Sequence, residues 1–246
     1  MGFFTALKFL TIFPLPQRWG KATEGFGTAL SYFPMVGLVL GAILFGLNYS
    51  FSFILPPSVT SALLIIALTI MTGAHHLDGL IDTFDGMVSG KSRERKLEIM
   101  ADSHVGAFGI IAAILMLLLK HASLSSLPDV MAMPALLLMT TLSRWIMVVA
   151  IFTFPYAKGT GMGLAFKQGA TWKRLVMATG IALIASVLLL NWWGMVLMAM
   201  LWLISFGIAS YFHSRLGGLT GDIYGALNEI AEVLVLILIT ILYWRL

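Results

Sequence analysis

The sequence has no cysteine and few charged residues. Of its 246 residues, 11% are charged and 59% are hydrophobic. The lack of cysteine excludes a disulfide framework and any Cys-ligated zinc or iron–sulfur site. The scarcity of charge, together with long uncharged runs, is typical of a membrane protein and excludes an ordinary soluble core. The net charge of +4 is modest, and its uneven distribution favours membrane topology and lipid contact over nucleic-acid binding.

Seven apolar segments are candidates for membrane spans. They cover residues 29–55, 59–77, 105–119, 131–154, 175–190, 193–212 and 227–244. In the first segment, Pro34 predicts a kink, and the spacing of Gly37 and Gly41 predicts a close helix contact. Residues 1–16 resemble an interfacial helix more than a signal peptide. We therefore predict an all-α, polytopic integral membrane helix bundle of about seven transmembrane helices plus an N-terminal interfacial helix, in one domain over residues 1–246.

The basic residues are unevenly distributed between the two sides of this layout. With the N-terminus in the cytoplasm, 12 of the 15 Lys and Arg residues fall in inner segments. Lys120 and Arg245 fall outside, and Arg144 lies within a span. This bias follows the positive-inside rule and predicts that the polar inner segments face the cytoplasm.

Three carboxylates follow the second apolar segment. Asp78, Asp82 and Asp85 stand at i, i+4 and i+7, so in a helix they share one face. Carboxylates at that spacing repel one another and are costly to ionise near the membrane. Mg²⁺ relieves both penalties and is commonly shared with substrate phosphates. The alternative is an ordinary solvated acidic loop, and we favour the magnesium site.

A second acidic group, Asp222, Glu229 and Glu232, lies near the C-terminus. The two glutamates open an otherwise apolar segment with no nearby base, which makes them functional-site candidates. We predict that this group and the Asp triplet form one site with two metal ions about 4 Å apart. Asp222 and Glu229 are then further ligands, and Glu229 or Glu232 completes the metal shell or acts as a base.

Further candidates are weaker, because each has an ordinary structural explanation. The glycine-rich loop 217–222, with Gly218, Thr220 and Gly221, offers amides to a phosphate or simply joins two helices. Arg144 is expected to pair with an acid or to reach a phosphate. His76 is a partner of the metal ligands or an interfacial residue.

Two inner segments complete the set of candidates. Residues 95–102 look helical, with Glu98 and Asp102 on one face, and Asp102 and Ser103 alternatively cap the third span. The glycine-containing loop 159–163, between Lys158 and Lys167, suits an anionic substrate or lipid headgroups.

These motifs resemble one known family. Residues 76–86, His-Leu-Asp-Gly-Leu-Ile-Asp-Thr-Phe-Asp-Gly, resemble the HLDGLADTxDG signature of cobalamin synthases, the adenosylcobinamide-GDP ribazoletransferases. Residues 97–106 resemble their LEIMKDSRxG block, and residues 217–232 are similar to their C-terminal block. Ile81, Ala101 and His104 stand where Ala, Lys and Arg are usual. The last two changes remove positive charge near Asp102.

The resemblance implies a reaction and a place for it. The family joins adenosylcobinamide-GDP to α-ribazole or its 5′-phosphate, releases GMP, and makes adenosylcobalamin or its 5′-phosphate. It implies Mg²⁺ as cofactor and a site facing the cytoplasm in the cytoplasmic (inner) membrane of a prokaryote. Membrane lipid, other corrinoid-assembly enzymes and a second copy of the chain are the expected partners, and nucleic acid is not.

We combine the resemblance with the residue chemistry to assign roles. The expected catalytic residues are Asp82, Asp85, Glu229 and Glu232. The expected substrate contacts are His76, Asp102, Ser103, Arg144, Gly218, Thr220 and Gly221. The expected metal ligands are Asp78, Asp82, Asp85, Asp222 and Glu229.

Two functions without catalysis are alternatives. A cation- or proton-coupled transporter also places carboxylates beside spans, but it should show internal repeats and acids near the bilayer midplane. A passive scaffold for corrinoid assembly does not need nine of the 11 acids in two clusters.

Overall fold

The computed structural model describes residues 2–16 and 26–243, and its regular structure is helical. The helices are α1 Gly2–Leu10, α2 Phe26–Leu30, α3 Phe33–Ser52, α4 Pro57–Met71, α5 His75–Ser89, α6 Arg93–Ile99, α7 Ala107–Ser126, α8 Asp129–Thr153, α9 Met162–Gly169, α10 Trp172–Leu190, α11 Trp192–Leu216 and α12 Gly221–Tyr243. Among these described residues, six helices are long and apolar enough to cross a membrane: α3, α7, α8, α10, α11 and α12. The predicted polytopic all-α fold is confirmed.

Helices α8 and α12 form the centre of the bundle. In the most apolar part of each, 83% and 72% of the residues are buried, against 22–33% in α3, α7, α10 and α11. The outer helices therefore present most of their apolar side chains outward, as helices surrounded by lipid do. Polar residues on α8 and α12 consequently lie among protein groups.

The seam between α3 and α8 depends on small residues. A Cβ at Gly41 would lie 2.6 Å from the Cα of Leu137, so only glycine permits this approach. Next to it, Thr140 Oγ1 donates a 2.7 Å hydrogen bond to the carbonyl of Gly37 across the seam. The predicted close contact is confirmed. The predicted kink is wrong, because Pro34 lies in the first turn of α3, where proline is well tolerated.

The predicted span over residues 59–77 is wrong at its C-terminal end. Helix α4 stops at Met71, and α5 leaves it at an angle of 90°. Gly73 and Ala74 make this corner with φ values of 62° and 58°, in the left-handed region that ends a helix. The two helices count as a seventh span only if the bent pair is taken as one. The corner lets α5 run to α12.

Two other predicted spans have wrong bounds: one ends too early and one begins too late. Helix α7 continues through Ser126, so Lys120 lies inside it and is buried rather than outside the membrane. Helix α12 begins at Gly221, so Glu229 and Glu232 lie well within it instead of opening it. Hydropathy alone ends a span at a charged residue, whereas a charge with a buried partner remains inside the helix.

At the N-terminus, α1 has nine residues and a length of about 14 Å, too short to cross the hydrocarbon layer. It buries Leu7 and Leu10 against the start of the bundle. Some residues used in the charge count and the last predicted span lie outside the described residues. They are Arg18, Lys21, Trp244 and Arg245.

Candidate active site

Two glycines bring α5 and α12 into contact. A Cβ at Gly79 would lie 2.7 Å from the carbonyl oxygen of Asp222, and one at Gly225 would lie 3.2 Å from the Cα of His76. Any larger residue at Gly79 would push the first turn of α12 away. This crossing brings Asp222 next to the α5 turn that carries two of the predicted metal ligands.

Asp78, Asp82 and Asp222 make up what we call the open carboxylate group. Asp78 is exposed, and the other two are partly buried. Among the neighbouring charges, those of Asp78 and Asp222 act most strongly on Asp82, followed by that of Asp85 and the opposing charge of Lys158. Lys158 Nζ lies 3.2 Å from Asp222 Oδ2. One ammonium beside three carboxylates leaves excess negative charge, which attracts a cation.

The open carboxylate group matches the chemistry of Mg²⁺ rather than that of a fully built metal cage. Within residues 2–16 and 26–243, no three His, Asp or Glu side chains converge as a ready metal site. Mg²⁺ usually keeps several waters and binds through one or two carboxylates and the substrate phosphates. The hard oxygen donors of Asp78, Asp82 and Asp222 therefore fit an ion shared with a substrate.

Two loops next to this group are held together by backbone pairing. Ala157 N donates to Leu219 O, and Leu219 N donates to Pro155 O, both at 2.8 Å. A Cβ at Gly218 would lie 2.7 Å from Ala157 N, so this pairing requires glycine there. The loop that begins α12 is therefore fixed to the loop that follows α8.

Arg93 contacts both sides of this loop pairing. Its Nε donates to Leu216 O at 2.7 Å and its Nη2 donates to Ala157 O at 3.1 Å. The side chain thus ties α6 to both paired loops. No local sequence pattern signals this role, because the two acceptors are backbone carbonyls far along the chain.

Thr220 caps α12 next to Asp222. Its Oγ1 accepts from Ile223 N at 3.3 Å and donates to Asp222 Oδ2 at 3.2 Å. This is the bonding expected of a helix N-cap. It also orients the Asp222 carboxylate. The predicted contacts of Gly218, Thr220 and Gly221 with substrate stay predictions.

Asp85 faces a different helix from Asp78 and Asp82. Its Oδ2 accepts from Gly106 N at 2.7 Å and its Oδ1 accepts from Gly109 N at 2.8 Å. The carboxylate is buried, with 4% exposure, against the N-terminal turn of α7. The structure thus accounts for Asp85 as the cap of another helix, where a negative charge also suits the helix dipole. Its predicted metal and catalytic roles stay predictions.

Glu229 and Glu232 lie in what we call the buried charge network, with Lys120 and Arg144. Lys120 Nζ lies 2.8 Å from Glu229 Oε2 and 2.5 Å from Glu232 Oε2. Arg144 Nη1 pairs with Glu232 Oε1. Asn228 Nδ2 donates to the same oxygen at 3.1 Å. All four charged side chains are at least 91% buried.

The expectation that these glutamates have no nearby base is therefore wrong. The two cations come from α7 and α8, 109 and 88 residues away in the sequence, so no local pattern reveals them. Two cations and two anions balance, which removes most of the penalty for burying each charge alone. The expected pairing of Arg144 with an acid is confirmed. The proposed roles of Glu229 and Glu232 in catalysis and metal binding stay predictions.

His76 lies beside this network. It is 7% exposed, and Arg144, Glu232 and Lys120 all act on it electrostatically. Its Nδ1 has no hydrogen-bond partner among the described residues. His76 lies at the α5–α12 crossing, opposite Gly225. On α12, Gly225 lies between Asp222 of the open carboxylate group and Glu229 of the buried charge network. The contact of His76 with substrate stays a prediction.

The predicted helix over residues 95–102 is too long. Helix α6 ends at Ile99, so Asp102 does not share a helical face with Glu98. Asp102 Oδ1 instead accepts from His104 N at 3.1 Å and lies 2.7 Å from His104 Nδ1. Asp102, Ser103 and His104 are all exposed. Because Asp85 caps α7, the alternative that Asp102 and Ser103 cap that helix is wrong as well.

Asp102 and His104 each shift the pKa of the other. The hydrogen bonds from His104 lower the pKa of Asp102, and the Asp102 carboxylate raises the pKa of His104. Each group favours the charged form of its neighbour. The contact therefore favours the folded turn at a pH between the two values.

Lys167 has a structural explanation too. Its Nζ donates to Ile151 O at 3.0 Å and to Phe152 O at 2.8 Å, the last carbonyls of α8. Partial burial lowers its pKa. Cations commonly satisfy the carbonyls at a helix C-terminus. Of the two lysines that flank the 159–163 loop, only Lys158 faces the open carboxylate group.

The comparisons with known proteins agree on one family. The family model described as "Cobalamin-5-phosphate synthase" matches residues 2–240. An adenosylcobinamide-GDP ribazoletransferase of Desulfitobacterium hafniense is 41% identical over 242 residues, which cover 94% of this chain and 93% of the relative. Relatives with the same name from Roseiflexus sp. and Desulforamulus reducens are 38% and 39% identical; the matches cover 96% and 95% of this chain and 88% and 94% of those proteins. No solved structure matches. The chain belongs to the cobalamin-5-phosphate synthase family.

Proposed function

We propose that the chain is a Mg²⁺-dependent phosphotransferase that joins adenosylcobinamide-GDP to α-ribazole or its 5′-phosphate. A ribazole hydroxyl oxygen forms a bond to the phosphorus on the cobinamide side of the diphosphate. The bond from that phosphorus to the bridging oxygen breaks, and GMP leaves with this oxygen. The family membership and the activity for which the relatives are named support this reaction class.

The single observation that carries the proposal is that the charges of Asp78 and of Asp222, which lies across the α5–α12 crossing, act on Asp82. Phosphoryl transfer asks the protein chiefly for position and charge stabilisation. Asp82 and Asp222 would hold Mg²⁺, which would supply charge stabilisation at the diphosphate. Asp78, the exposed member of the group, would accept the proton of the hydroxyl.

The loops beside the open carboxylate group would position the diphosphate. Thr220 orients Asp222, and Lys158 pairs with it from the opposite loop. Because Lys158 is only partly buried, its ammonium can turn toward a phosphate oxygen that displaces it from Asp222. Arg93 keeps the two loops in register.

We propose a structural role for the two glutamates of the buried charge network. Lys120 and Arg144 pair with Glu229 and Glu232, so these acids are not free carboxylates at membrane depth. This weakens the transporter alternative, which depends on unpaired acids that bind and release a cation. We propose that the network fixes the register of α12 against α7 and α8, and thereby the position of Asp222.

We further propose that the open carboxylate group faces the cytoplasm across the cytoplasmic membrane. The loops at its end of the bundle carry Lys91, Arg93 and Lys158, and the turns at the other end, residues 53–56, 127–128 and 191, carry no Lys or Arg. The burial of Lys120 removes one of the two exceptions to the positive-inside distribution. Cysteine placed at Ser92 should be labelled only from the cytoplasmic side and cysteine at Ser125 only from the outside; labelling of both from one side would contradict this orientation.

The proposed reaction is tested by measuring GMP release from adenosylcobinamide-GDP by the purified full chain in detergent. Release should require both Mg²⁺ and ribazole. It should be lost in Asp82→Asn and kept in Glu98→Gln, which removes an exposed acid that pairs with Arg95 on α6. Release that is equally fast without a divalent cation would contradict the proposal.

A further inference from the structure

A cavity lies at the opposite end of the bundle from the open carboxylate group. It has a volume of about 140 Å³ between α3, α4, α7 and α8. Asp85 contacts the first turn of α7, whereas Leu124 and Leu127, at the other end of that helix, line the cavity. The 20 residues of α7 span about 30 Å. The cavity is therefore at the level where the spans end on the far side.

Three of the polar side chains that line this cavity lack protein partners, whereas Ser52 and Ser61 donate to the backbone carbonyls of Tyr49 and Pro57. Thr60 is 4% exposed, and its Oγ1 has no hydrogen-bond partner among the described residues. Asn48 and Asp129 also line the cavity, and neither side chain has an ion pair or side-chain hydrogen bond within the described part of the chain. Buried hydroxyls are normally satisfied by protein, water or ligand. The recess thus has one buried hydroxyl with unused bonding capacity, Thr60, beside the half-buried Asn48 and the exposed carboxylate of Asp129.

The charge of the cavity selects the type of ligand. Its lining contains one acid, Asp129, and no Lys or Arg. The position of Asp129 in the first turn of α8 suits the helix dipole, but the dipole explains neither the buried Thr60 hydroxyl nor the Asn48 amide. A group that donates hydrogen bonds and carries positive charge would satisfy all three side chains. The carboxylate of Asp129 would repel a phosphate.

We propose that this cavity binds the primary ammonium headgroup of an aminophospholipid such as phosphatidylethanolamine. Cavities of about 150 Å³ accommodate a six-atom ring, so an aminoethyl group fits, while the lipid phosphate remains outside. The neighbouring turn exposes Phe53 and Ile54, by 71% and 82%, which places an acyl-chain environment beside the opening. This surface favours a lipid over a soluble amine.

Native mass spectrometry of the detergent-purified full chain tests the proposal. In separate arms, phosphatidylethanolamine, phosphatidylcholine and phosphatidylglycerol are added. We expect one tightly held phosphatidylethanolamine and at least about tenfold weaker retention of the other two, since an ammonium that donates to a carboxylate contributes on the order of one decade in affinity. Asp129→Asn and Thr60→Val should each reduce the retention, and Glu98→Gln, which removes an acid at the other end, should not.

The remaining outcomes decide against the proposal. Equal retention of phosphatidylethanolamine by the wild type and Asp129→Asn would show that the lipid binds elsewhere. Equal retention of phosphatidylglycerol would show that the ammonium is not recognised. Displacement of the lipid by excess free ethanolamine would assign the cavity to a soluble amine. Thermal unfolding without added lipid separates these results from misfolding, because both variants should unfold close to the wild-type temperature.

Discussion

The two carboxylate groups on α12 differ in what surrounds them. Asp222, in the first turn, joins two aspartates of α5 and meets one partly exposed lysine. Glu229 and Glu232, farther along the same helix, are buried and paired with two cations. The first group keeps excess negative charge near solvent, and the second is neutral and closed. The difference shows that an acid beside an apolar span is a functional candidate only after its partners are known.

The largest effect should come from removing the central member of the open carboxylate group. We expect Asp82→Asn to lower GMP release by about 10³-fold or more, because a metal ligand supplies several kcal/mol of charge stabilisation in the transition state. The free energy of unfolding should change little, since Asp82 is partly exposed and its nearest charges are mostly acids. Initial rates with saturating Mg²⁺ measure the effect. Near-normal turnover would place the chemistry elsewhere.

Breaking the buried charge network should affect stability more than chemistry. Lys120→Met leaves Glu229 and Glu232 opposite Arg144 alone, and an uncompensated buried charge costs about 3–5 kcal/mol. We expect a strongly lowered unfolding temperature and little folded protein in the membrane.

The matched control for Lys120→Met restores charge balance. The double variant Lys120→Met/Glu229→Gln keeps one cation and one anion, and it should regain most of the lost stability and the transfer activity. If Lys120→Met alone is stable but inactive, the network takes part in the chemistry and the contrast between the two groups is lost.

Substitutions of Asp85 test whether it acts only as a helix cap or also as a metal ligand with the open carboxylate group. Replacing it with alanine leaves the amides of Gly106 and Gly109 without their acceptor, and loss of such a cap costs about 2 kcal/mol. Asp85→Asn keeps one acceptor oxygen and should be milder in stability. If Asp85 acts only as a cap, Asp85→Asn retains most of the activity per folded molecule, measured by GMP release. A loss as large as that of Asp82→Asn would support the original assignment of Asp85 as a metal ligand.

The smallest effect concerns the exposed turn after α6. The carboxylate of Asp102 raises the pKa of His104, so the stabilisation is present below the unfolded histidine pKa and is lost as the pH rises through the folded value. Asp102 has a lowered pKa, so its contribution is lost as the pH falls through that value. NMR titration of His104 should give a pKa above the ordinary histidine value, and Asp102→Asn should return it. An unchanged value in the variant would show that the pair does not form.

The architecture was largely predictable from the sequence, because long apolar runs leave few alternatives to membrane helices. The errors follow from tertiary partners. Lys120 was placed outside the membrane because hydropathy does not register an ion pair with a helix 109 residues away. The corner at Gly73 and Ala74 has no strong sequence signal, since alanine rarely adopts a positive φ.

The candidate site was predictable only in part. The spacing of Asp78 and Asp82 and the glycine-rich approach to Asp222 both predict a polar junction, and α5 and α12 meet there. The same spacing does not reveal that Asp85 turns to α7, because residues on one helical face can contact different neighbouring helices. Arg93 binds backbone carbonyls, so its role depends on loop positions that only the folded chain defines.

Direct observation of the cation tests the central contrast most sharply. Mn²⁺ can replace Mg²⁺ as an oxygen-ligated probe, and its EPR signal reports binding to the full chain with adenosylcobinamide-GDP present and ribazole omitted. We predict that Asp82→Asn and Asp222→Asn each abolish tight Mn²⁺ binding, while Lys120→Met/Glu229→Gln binds it as the wild type does. Loss of Mn²⁺ in the Glu229 variant, with retention in Asp82→Asn, would contradict the account.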